Sequence, residues 1–394
     1  TVGRRGGIGY AGENLFRSPL MTPLHGLKVV ELARILAGPW IGQSLADLGA
    51  EVVKVESPDG DDTRRWGPPF IERDGDRTAA YYYAANRGKD CVTADFRTEE
   101  GRAAVIELVR DADILIENFK VGGLAKYGLD YGSLAKVNPR LIYCSVTGFG
   151  QDGPYAQRAG YDFLLQGMSG LMSITGDPDG QPQKAGVAIT DIVTGLYGTI
   201  GILAAVQQRH VTGRGQHLDM SLLDCATALL ANQAMNYLAT GDSPARMGND
   251  HPNIAPYQVM AVKDGHVILA VGNDGQFRRL CDVLGLPALK EDARFASNQL
   301  RVANRTALTA VLLETLAGWD RDALLAALED ATVPAGPINS VGQAFEDPQI
   351  RHRQMQIAPE GVPGVRGPWV ISDAGLNLEK SAPVLPRGAG KRQG

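Results

Sequence analysis

One carboxylate, Asp191, lies inside an almost unbroken apolar run, "KAGVAITDIVTGLYGTIGILAAV", from Lys184 to Val206. Burial of a carboxylate is costly unless its charge is compensated. Thr190-Asp191 precedes apolar residues at helical spacing, which predicts a helix with Thr190 or Asp191 as its N-cap. The unpaired amides and the dipole at that end favour a negative charge. Two interpretations of Asp191 stay open at this point, a capping residue and a functional carboxylate.

Glycines recur at a spacing of three along the same predicted helix. They are Gly195, Gly198 and Gly201. Small residues at this spacing leave one helix face without side chains. The pattern predicts that another stretch of backbone approaches this face closely.

Several cations follow the predicted carboxyl ends of strands, which is where ligands bind in an open α/β sheet. They are Arg64, Arg65, Arg87, Lys89 and Lys126. Cations in this position suit an anionic, phosphate-bearing ligand. Solvated loop charges are an equally open interpretation of each residue taken singly.

The sequence argues against several other kinds of chemistry. The net charge of −5, without a basic tract, argues against a nucleic acid partner. The longest apolar run, Ile200 to Val206, is too short to span a bilayer, so no membrane partner is expected. The histidines and cysteines show no metal-ligand spacing, so no metal is expected. Four separated cysteines suit buried free thiols in a reducing compartment, and we expect a cytoplasmic location.

Strands and helices alternate along the first part of the chain. The segments "LKVVEL", "EVVKVE", "CVTADF", "ADILIENF" and "LIYCSVTGFG" predict strands, with helices between most of them. This order predicts an α/β fold with a Rossmann-like, doubly wound parallel sheet. The segment "PYQVMAVKDGHVILAVG" predicts a β-hairpin that turns at Lys263-Asp264-Gly265, inside a smaller α+β domain.

Changes in character along the chain predict the domain boundaries. Residues 1–20 are interpreted as a leader, disordered or an artefact of the start site. Their G-x-G-x-x-G, Gly7 to Gly12, lacks the preceding strand that a dinucleotide site needs. Residues 21–243 are predicted to form the large domain and residues 244–332 the small α+β domain. Residues 333–394 are predicted to return to the large domain.

Ordered motifs over Leu24 to Asp373 resemble the class III CoA-transferase family. They include "LKVVELARILAGPWIGQSLADLGAEVVKVESPDGDDTRRWGPPF", "NRGKD", "ILIENF", "NPRLIYCSVTGFGQDGPYAQRAGYD", "AITDIVTGLYGTIGILAA" and "VPAGPINSVGQAFEDPQI". Within that family, the chain is most similar to the branch of succinyl-CoA–dicarboxylate transferases, such as the glutarate enzyme. The resemblance implies a CoA-binding Rossmann-like large domain, a small domain and a homodimer of interlocked rings.

The resemblance also implies a reaction and a nucleophile. Asp191 occupies the position of the family's catalytic aspartate. The implied enzyme moves CoA from a donor, succinyl-CoA or another dicarboxyl-CoA, to a carboxylic acid. The reaction passes through an aspartyl anhydride and an aspartyl-CoA thioester. An apolar setting would protect both intermediates from hydrolysis.

Contacts with coenzyme A are implied where motifs match, and contacts with the acid are predicted from loops. The expected CoA-binding residues are Ile35, Leu36, Ala37, Arg87, Lys89, Asn118, Phe119, Lys126 and Tyr127. The expected substrate residues are Tyr161, Asn249, His251 and Tyr257. Relatives that handle formyl and oxalyl groups carry Gln where this chain has Leu36, which argues against formyl–oxalate exchange.

Three alternatives remain open from the sequence. An α-methylacyl-CoA racemase would need a His in its "GHD" motif, where this chain reads Gly160-Tyr161-Asp162, and Tyr is a poor base at neutral pH. An NAD-dependent oxidoreductase is suggested by the Rossmann-like alternation and the G-x-G-x-x-G. An acyl-CoA binder without turnover is suggested by the ending "APVLPRGAGKRQG", where relatives carry "LGQH" and a helix.

Overall fold

The computed structural model describes residues 21–386 of the 394-residue chain. The predicted leader and its G-x-G-x-x-G therefore lie outside the described residues. Within the described part, the chain separates into two compact units. The first takes in residues 21–160, 190–225 and 354–386, and the second takes in residues 161–189 and 226–353.

The described residues form thirteen strands and fifteen α-helices. The strands are β1 Lys28–Glu31, β2 Glu51–Glu56, β3 Phe70–Arg73, β4 Asp76–Ala79, β5 Asp90–Thr93, β6 Ile114–Glu117, β7 Ile142–Thr147, β8 His217–Ser221, β9 Tyr257–Val262, β10 Gly265–Ala270, β11 Ala335–Pro337, β12 Gln356–Ile357 and β13 Gly364–Val365. The helices are α1 Ala37–Asp47, α2 Ala80–Tyr83, α3 Glu99–Arg110, α4 Tyr131–Val137, α5 Asp162–Met168, α6 Ile189–Thr212, α7 Leu222–Ala228, α8 Ala231–Thr240, α9 Asp274–Leu284, α10 Pro287–Glu291, α11 Asn298–Ala303, α12 Arg305–Leu316, α13 Arg321–Asp330, α14 Val341–Glu346 and α15 Pro348–His352.

A six-stranded parallel sheet is the core of the first unit. Its strand order is β5-β2-β1-β6-β7-β8, and every neighbouring pair is parallel. Counted on their own in chain order, the six strands run 3-2-1-4-5-6, the Rossmann order. The inner strands β6 and β7 are short runs with near-continuous burial, because helices cover both faces of such sheets. The predicted α/β class and parallel sheet are confirmed.

The strand order reverses between β1 and β6. From β1 the chain adds β2 and β5 on one side, and it then crosses over to add β6, β7 and β8 on the other side. A crevice opens at such a switch point beyond the carboxyl ends of the two strands. The loops after β1 and β6, residues 32–36 and 118–124, therefore border the expected ligand site.

The loop predicted after β2 contains more structure than its sequence suggests. Its Pro/Gly/Asp-rich composition predicts a loop, but Asp62–Arg65 form a 3-10 turn. The antiparallel pair of β3 and β4 follows. The turn starts where the Asp61 carboxylate accepts a hydrogen bond from the Thr63 amide, a local pattern that competes with extended backbone.

The second unit contains a three-stranded antiparallel sheet in the order β11-β10-β9. β9 and β10 pair as a hairpin, in which Gly265 is opposite Val262, so the hairpin prediction is confirmed. Helices α9, α12 and α13 cover this sheet with buried apolar residues such as Phe277, Leu312 and Leu324.

The observed units divide the chain differently from the predicted domains. The predicted small domain, residues 244–332, lies entirely within the second unit. That unit also takes in residues 161–189, 226–243 and 333–353. The chain therefore leaves the first unit twice, which composition does not reveal because both excursions include ordinary amphipathic helices.

Helix α6 is longer than the apolar run seen in the sequence. By length and composition alone, this helix could cross a membrane: an 18-residue apolar window within its 24 residues has a mean hydropathy of 1.6, and 39% of that window is buried inside the protein. Central helices of water-soluble proteins have the same length and composition, so these two properties alone do not identify a membrane-spanning helix. The length argument made from the sequence does not hold for the complete helix.

The segment "GQHLDMSLLDCATALLANQAMNYLATG" predicts a strand followed by one long helix, but two helices follow β8. α7 ends at Ala228 and α8 begins at Ala231. Ala231 has a φ of 44°, in the left-handed region, where an α-helix cannot continue. The apolar periodicity runs through this break, which is why the sequence suggests one helix.

Candidate active site

The turn after β1 leads directly into α1 at the switch point. Ile35 has a φ of 72°, which is unusual for a β-branched residue. Leu36 is the N-cap of α1 and has no side chain that could cap the helix. Its carbonyl accepts a hydrogen bond from the Trp40 amide at 2.7 Å. Leu36 and Ala37 are buried, so this predicted CoA-contacting turn offers mainly backbone to a ligand.

The loop after β6 is tied to this turn by Asn118. Its Oδ1 accepts from the Arg34 amide at 2.9 Å, and its Nδ2 donates to the Arg34 carbonyl at 2.6 Å. This reciprocal pair of hydrogen bonds joins two segments 84 residues apart. The structure thus brings the predicted residues Asn118 and Ile35 into one neighbourhood.

Aromatic rings and cations lie together beside Asn118. The Phe119 ring centroid lies 6.0 Å from that of Phe96, and Tyr127 lies 6.4 Å from Phe96. The Arg34 guanidinium lies 5.4 Å from the Phe119 centroid, and Lys126 Nζ lies 4.8 Å from the Tyr127 centroid. Rings that can stack on a base, next to cations that can meet phosphate, suit a nucleotide-containing ligand. Arg34 and Phe96 were missed in the sequence, although both follow strand ends.

Asp191 lies in the first turn of α6. The helix begins at Ile189, so the prediction that Thr190 or Asp191 is the N-cap is wrong. Both residues lie inside the helix, where the dipole still favours a negative charge. The Thr194 hydroxyl donates to the Thr190 carbonyl at 2.7 Å and supports the first turn.

The far end of α6 shows which edge of the sheet Asp191 occupies. Arg209, in the last turn, pairs with Asp113 at 2.8 Å, and Asp113 directly precedes β6. The carboxyl end of α6 therefore lies at the amino edge of the sheet. Asp191, at the other end of the helix, lies at the carboxyl edge, where the β1 turn and Asn118 are found.

The glycines of α6 are contacted by side chains rather than by another backbone. A Cβ added to Gly195 would lie 2.9 Å from both Cβ and Cδ1 of Trp40. Gly198 and Gly201 approach Ile41 and Leu218 in the same way. α1 leads from the carboxyl end of β1 back to the start of the parallel strand β2, so it runs from the carboxyl edge to the amino edge of the sheet, as α6 does. Because Gly195 contacts Trp40 near the start of α1, Asp191 lies towards the N-terminal end of α1.

Arg87 and Lys89, predicted to contact CoA, are buried in ion pairs. Arg87 Nη2 lies 2.6 Å from Asp47 Oδ2. Lys89 Nζ lies 2.8 Å from Glu31 Oε2 and donates to the Pro39 carbonyl at 2.9 Å. Complete burial lowers the pKa of Lys89 to about 8, although attraction to Glu31 opposes the shift. Because internal partners satisfy both side chains, neither presents an exposed cation to a phosphate group.

A buried charge cluster beneath the β1 turn was not anticipated from the sequence. Glu31, Lys54, Asp61 and Lys89 form it, all with 0–1% exposure. Lys54 Nζ lies 3.1 Å from both Glu31 Oε1 and Asp61 Oδ2. Burial alone would lower the pKa of Lys54, but the charges of Glu31, Asp61 and Glu56 outweigh it and raise this pKa well above its ordinary value.

Glu117, the last residue of β6, is a second buried acid next to the site. Its Oε2 accepts a hydrogen bond from the Phe119 amide at 2.8 Å. Burial raises its pKa to about 7, against the hydrogen bonds from Ser145 and the Phe119 amide. The Ser145 hydroxyl also lies 2.9 Å from His217 Nε2.

The predicted substrate residues all belong to the second unit. His251 and Tyr257 are joined by a backbone hydrogen bond of 3.0 Å and by ring centroids 5.1 Å apart. Burial, and then the Arg305 charge, lowers the pKa of His251. Asn249 is exposed in the same loop. Tyr161 precedes α5 and is 68% exposed.

The side chains that commonly bind metals are dispersed in the described part of the chain. Between residues 21 and 386, no group of three or more His, Cys, Asp or Glu side chains could hold a metal ion. The four cysteines are buried and free of disulfides. Burial raises the pKa of Cys144 and thereby disfavours its thiolate.

The Rossmann-ordered sheet, with aromatic rings and cations beside its switch point, fits an enzyme that acts on a nucleotide-containing ligand. Comparison with known proteins identifies the family. Residues 24–388 match the description CoA-transferase family III. The chain belongs to this family, and the resemblance found in the sequence is confirmed.

Named relatives and a solved structure support the same assignment. The chain is 56% identical over 371 residues to the succinate–glutarate CoA-transferase of Agrobacterium fabrum, covering 92% of this chain and 93% of that protein. It is 40% identical over 371 residues to the succinyl-CoA:glutarate CoA-transferase of Mus musculus, covering 93% and 84%. It also resembles the crystal structure of a CAIB/BAIF family protein from Brucella suis, with 63% identity, a TM-score of 0.84 and coverage of 92% and 96%. These comparisons do not favour the racemase or oxidoreductase alternatives.

Proposed function

We propose that this enzyme moves CoA from succinyl-CoA to glutarate or a similar dicarboxylate, with Asp191 as the nucleophile. The observation that carries the proposal is the position of Asp191 in the first turn of α6, at the carboxyl edge of the sheet. The names of two relatives, at 56% and 40% identity, support the choice of acids.

The proposed reaction conserves the energy of the thioester through covalent intermediates. A carboxylate oxygen of Asp191 attacks the succinyl carbonyl, and the C–S bond breaks to give an anhydride and CoA thiolate. The thiolate attacks the aspartyl carbonyl, which releases succinate and leaves an aspartyl-CoA thioester. The acceptor carboxylate opens this thioester to give a new anhydride. The thiolate then attacks the acceptor acyl carbon and regenerates the Asp191 carboxylate.

Coenzyme A is proposed to bind along the switch point of the sheet. The ring of Phe119 and the amide side chain of Asn118 suit the adenine, and the cations of Arg34 and Lys126 suit phosphate groups. The turn of Ile35 to Ala37 leads into the N-terminal end of α1, the end towards which Asp191 lies. This turn is proposed to border the thioester. Tyr161, Asn249, His251 and Tyr257 stay predictions for binding the acid.

A homodimer is proposed from the resemblance and from exposed apolar side chains. On α6, Leu196 and Ile200 are 43% and 62% exposed and lie one turn apart. On α8, Met235 and Leu238 are 61% and 71% exposed. Neighbouring exposed apolar side chains on one helix, such as the pair on α6, mark interaction sites. The charge of the α6 surface is low, which suits burial against a second copy of the chain.

Trapping of the aspartyl intermediate tests the proposed mechanism. We expect succinyl-CoA and hydroxylamine together to convert the Asp191 side chain to a hydroxamate, detectable by peptide mass spectrometry. Asp191→Asn should remove this modification and lower the transfer of CoA to glutarate by at least about 10³-fold, because the nucleophile is lost. Product thioesters are separated by liquid chromatography.

The matched control is Asp322→Asn, which changes an exposed aspartate in the first turn of α13. It should leave both the hydroxamate and the rate unchanged. Full transfer by Asp191→Asn would contradict the role of Asp191. Transfer to acetate as fast as to glutarate would contradict the dicarboxylate preference while leaving the mechanism intact.

A further inference from the structure

Ile35 has a strained backbone conformation at the candidate site. Its φ of 72° lies in the left-handed region, where a β-branched side chain crowds the backbone. Such residues persist only where their surroundings hold them, and they concentrate at ligand sites. The contacts that hold Ile35 therefore bear on the geometry of the turn that begins α1.

Backbone groups on both sides of Arg34 are bound by side chains from β2 and the loop after it. Lys54 Nζ donates to the Ala33 carbonyl at 2.8 Å. The Asp61 carboxylate accepts from the Ile35 amide at 3.2 Å. Because Lys54 and Asp61 also pair with each other at 3.1 Å, the two contacts form one clamp around the turn.

Asp61 is itself held in one orientation. It is 1% exposed, and its Oδ1 accepts from the Thr63 amide at 3.0 Å and from the Thr63 hydroxyl at 2.8 Å. Lys54, its ion-pair partner, is fixed by Glu31. An acceptor with this many partners cannot turn away to relieve strain at Ile35 without breaking buried interactions.

The opposite end of β1 carries a similar contact without strain. Asp113 Oδ2 accepts from the Lys28 amide at 2.9 Å, and Oδ1 pairs with Arg209 at 2.8 Å. Both aspartates thus bind one backbone amide and one cation at an end of the same strand. Only Asp61 does so at the carboxyl edge of the sheet and beside a left-handed residue.

We propose that Asp61 is a positioning residue for CoA transfer, which holds Ile35 in its left-handed conformation and so fixes the turn of Ile35 to Ala37 beside the reacting thioester. The inference rests on the proposed function. Asp61 does not contact substrate in this proposal. Loss of its charge should lower the rate of transfer, whereas loss of a purely structural ion pair should lower only the stability.

A double-mutant cycle between Asp61 and Ile35 tests the proposal. Asp61→Asn keeps the side-chain shape but removes the charge, and we expect kcat for transfer from succinyl-CoA to glutarate to fall at least about tenfold. Glycine adopts a positive φ without strain. In the Ile35→Gly background, Asp61→Asn should therefore lower kcat by less than about threefold. KM for succinyl-CoA should change less than kcat in both backgrounds.

Two further variants keep the result interpretable. Asp113→Asn is the matched control: it should lower the melting temperature and leave kcat within about twofold of the wild type. If Asp61→Asn does not fold, Thr63→Val replaces it in the cycle, because it removes only one hydrogen bond that orients the carboxylate. Its effect on kcat should likewise shrink in the Ile35→Gly background.

Each outcome decides the question. A loss of kcat that shrinks when residue 35 is glycine supports the positioning role. Equal losses in both backgrounds, or a lower melting temperature with unchanged kcat, overturn it while leaving the proposed function intact. A folded wild-type enzyme that transfers CoA from succinyl-CoA to neither glutarate nor oxalate would instead overturn the proposed function, and the positioning role with it.

Discussion

Glu117 shows how one buried side chain links stability to pH. Its pKa rises from 4.5 to about 7 on folding, mainly through burial. An acid with a raised pKa contributes stability below its unfolded pKa, and this contribution is lost as the pH rises through its folded pKa. A rise of this size in the pKa changes the free energy of unfolding by on the order of 3 kcal/mol across the titration.

We therefore expect Glu117→Gln to become more stable relative to the wild type as the pH rises from 5 to 8, by up to about 3 kcal/mol. Denaturant unfolding at several pH values measures this difference. Glu107→Gln, which changes an exposed carboxylate on α3, should show no such trend. A difference between Glu117→Gln and the wild type that is constant with pH would show that Glu117 is ionised throughout this range.

At the residue scale, a candidate functional side chain can be recognised from the sequence when it stands out from its neighbours in the chain. Asp191 could be singled out because an acid interrupts an apolar run. Asp61 and Lys54 could not, because the chain around them reads as an ordinary charged loop and strand. Lys54 meets the Ala33 carbonyl across 21 residues, and Lys89 meets Glu31 across 58. Only the folded sheet brings these groups together.

At the scale of elements, the alternation of strands and helices was predictable because most of the parallel strands contain a short run of β-branched or other apolar residues. β2 is observed over the predicted residues, Glu51 to Glu56. The hairpin of β9 and β10 was equally clear from its turn. Breaks within helices were not predictable. α7 and α8 are separated by the left-handed conformation of Ala231, and alanine is a residue that normally favours a continuous helix.

The packing of α6 against α1 gives a prediction at this scale. Alanine favours helices over glycine by about 1 kcal/mol, but at Gly195 its Cβ would overlap Trp40. We expect Gly195→Ala to lower the free energy of unfolding by about 1–3 kcal/mol through overpacking. It should also lower kcat, because Asp191 lies one turn earlier on the same helix. Denaturant unfolding and transfer assays measure the two effects.

Gly342→Ala is the matched control for this substitution. Gly342 lies in α14, and a Cβ there would meet nothing closer than 4.0 Å. This variant should be neutral or slightly stabilising. If Gly195→Ala were equally neutral in stability and rate, α6 could shift away from Trp40 at no cost, contrary to our interpretation of the close approach.

At the scale of the whole molecule, the exposed apolar side chains of α6 and α8 support the proposed homodimer. We expect a particle of twice the 42.0 kDa chain mass in light scattering at micromolar concentration. Ile200→Glu should weaken the dimer by about 100-fold or more, because it would bury an unpaired charge in the interface. Leu313→Glu, at an exposed position on α12, should leave the mass unchanged. A monomeric wild type would exclude the proposed dimer.

The four charges beneath the β1 turn have a consequence for redesign of the enzyme. The charges of Glu31, Asp61, Lys54 and Lys89 sum to zero. Neutralising one of them leaves another buried charge without one of its partners. Gly42 completes the arrangement, since a Cβ there would lie 1.7 Å from Glu31 Oε2. A library that varies these positions one at a time would therefore return mostly destabilised protein. Libraries that exchange oppositely charged partners together, with Gly42 kept, are the ones that can reach new shapes of the turn.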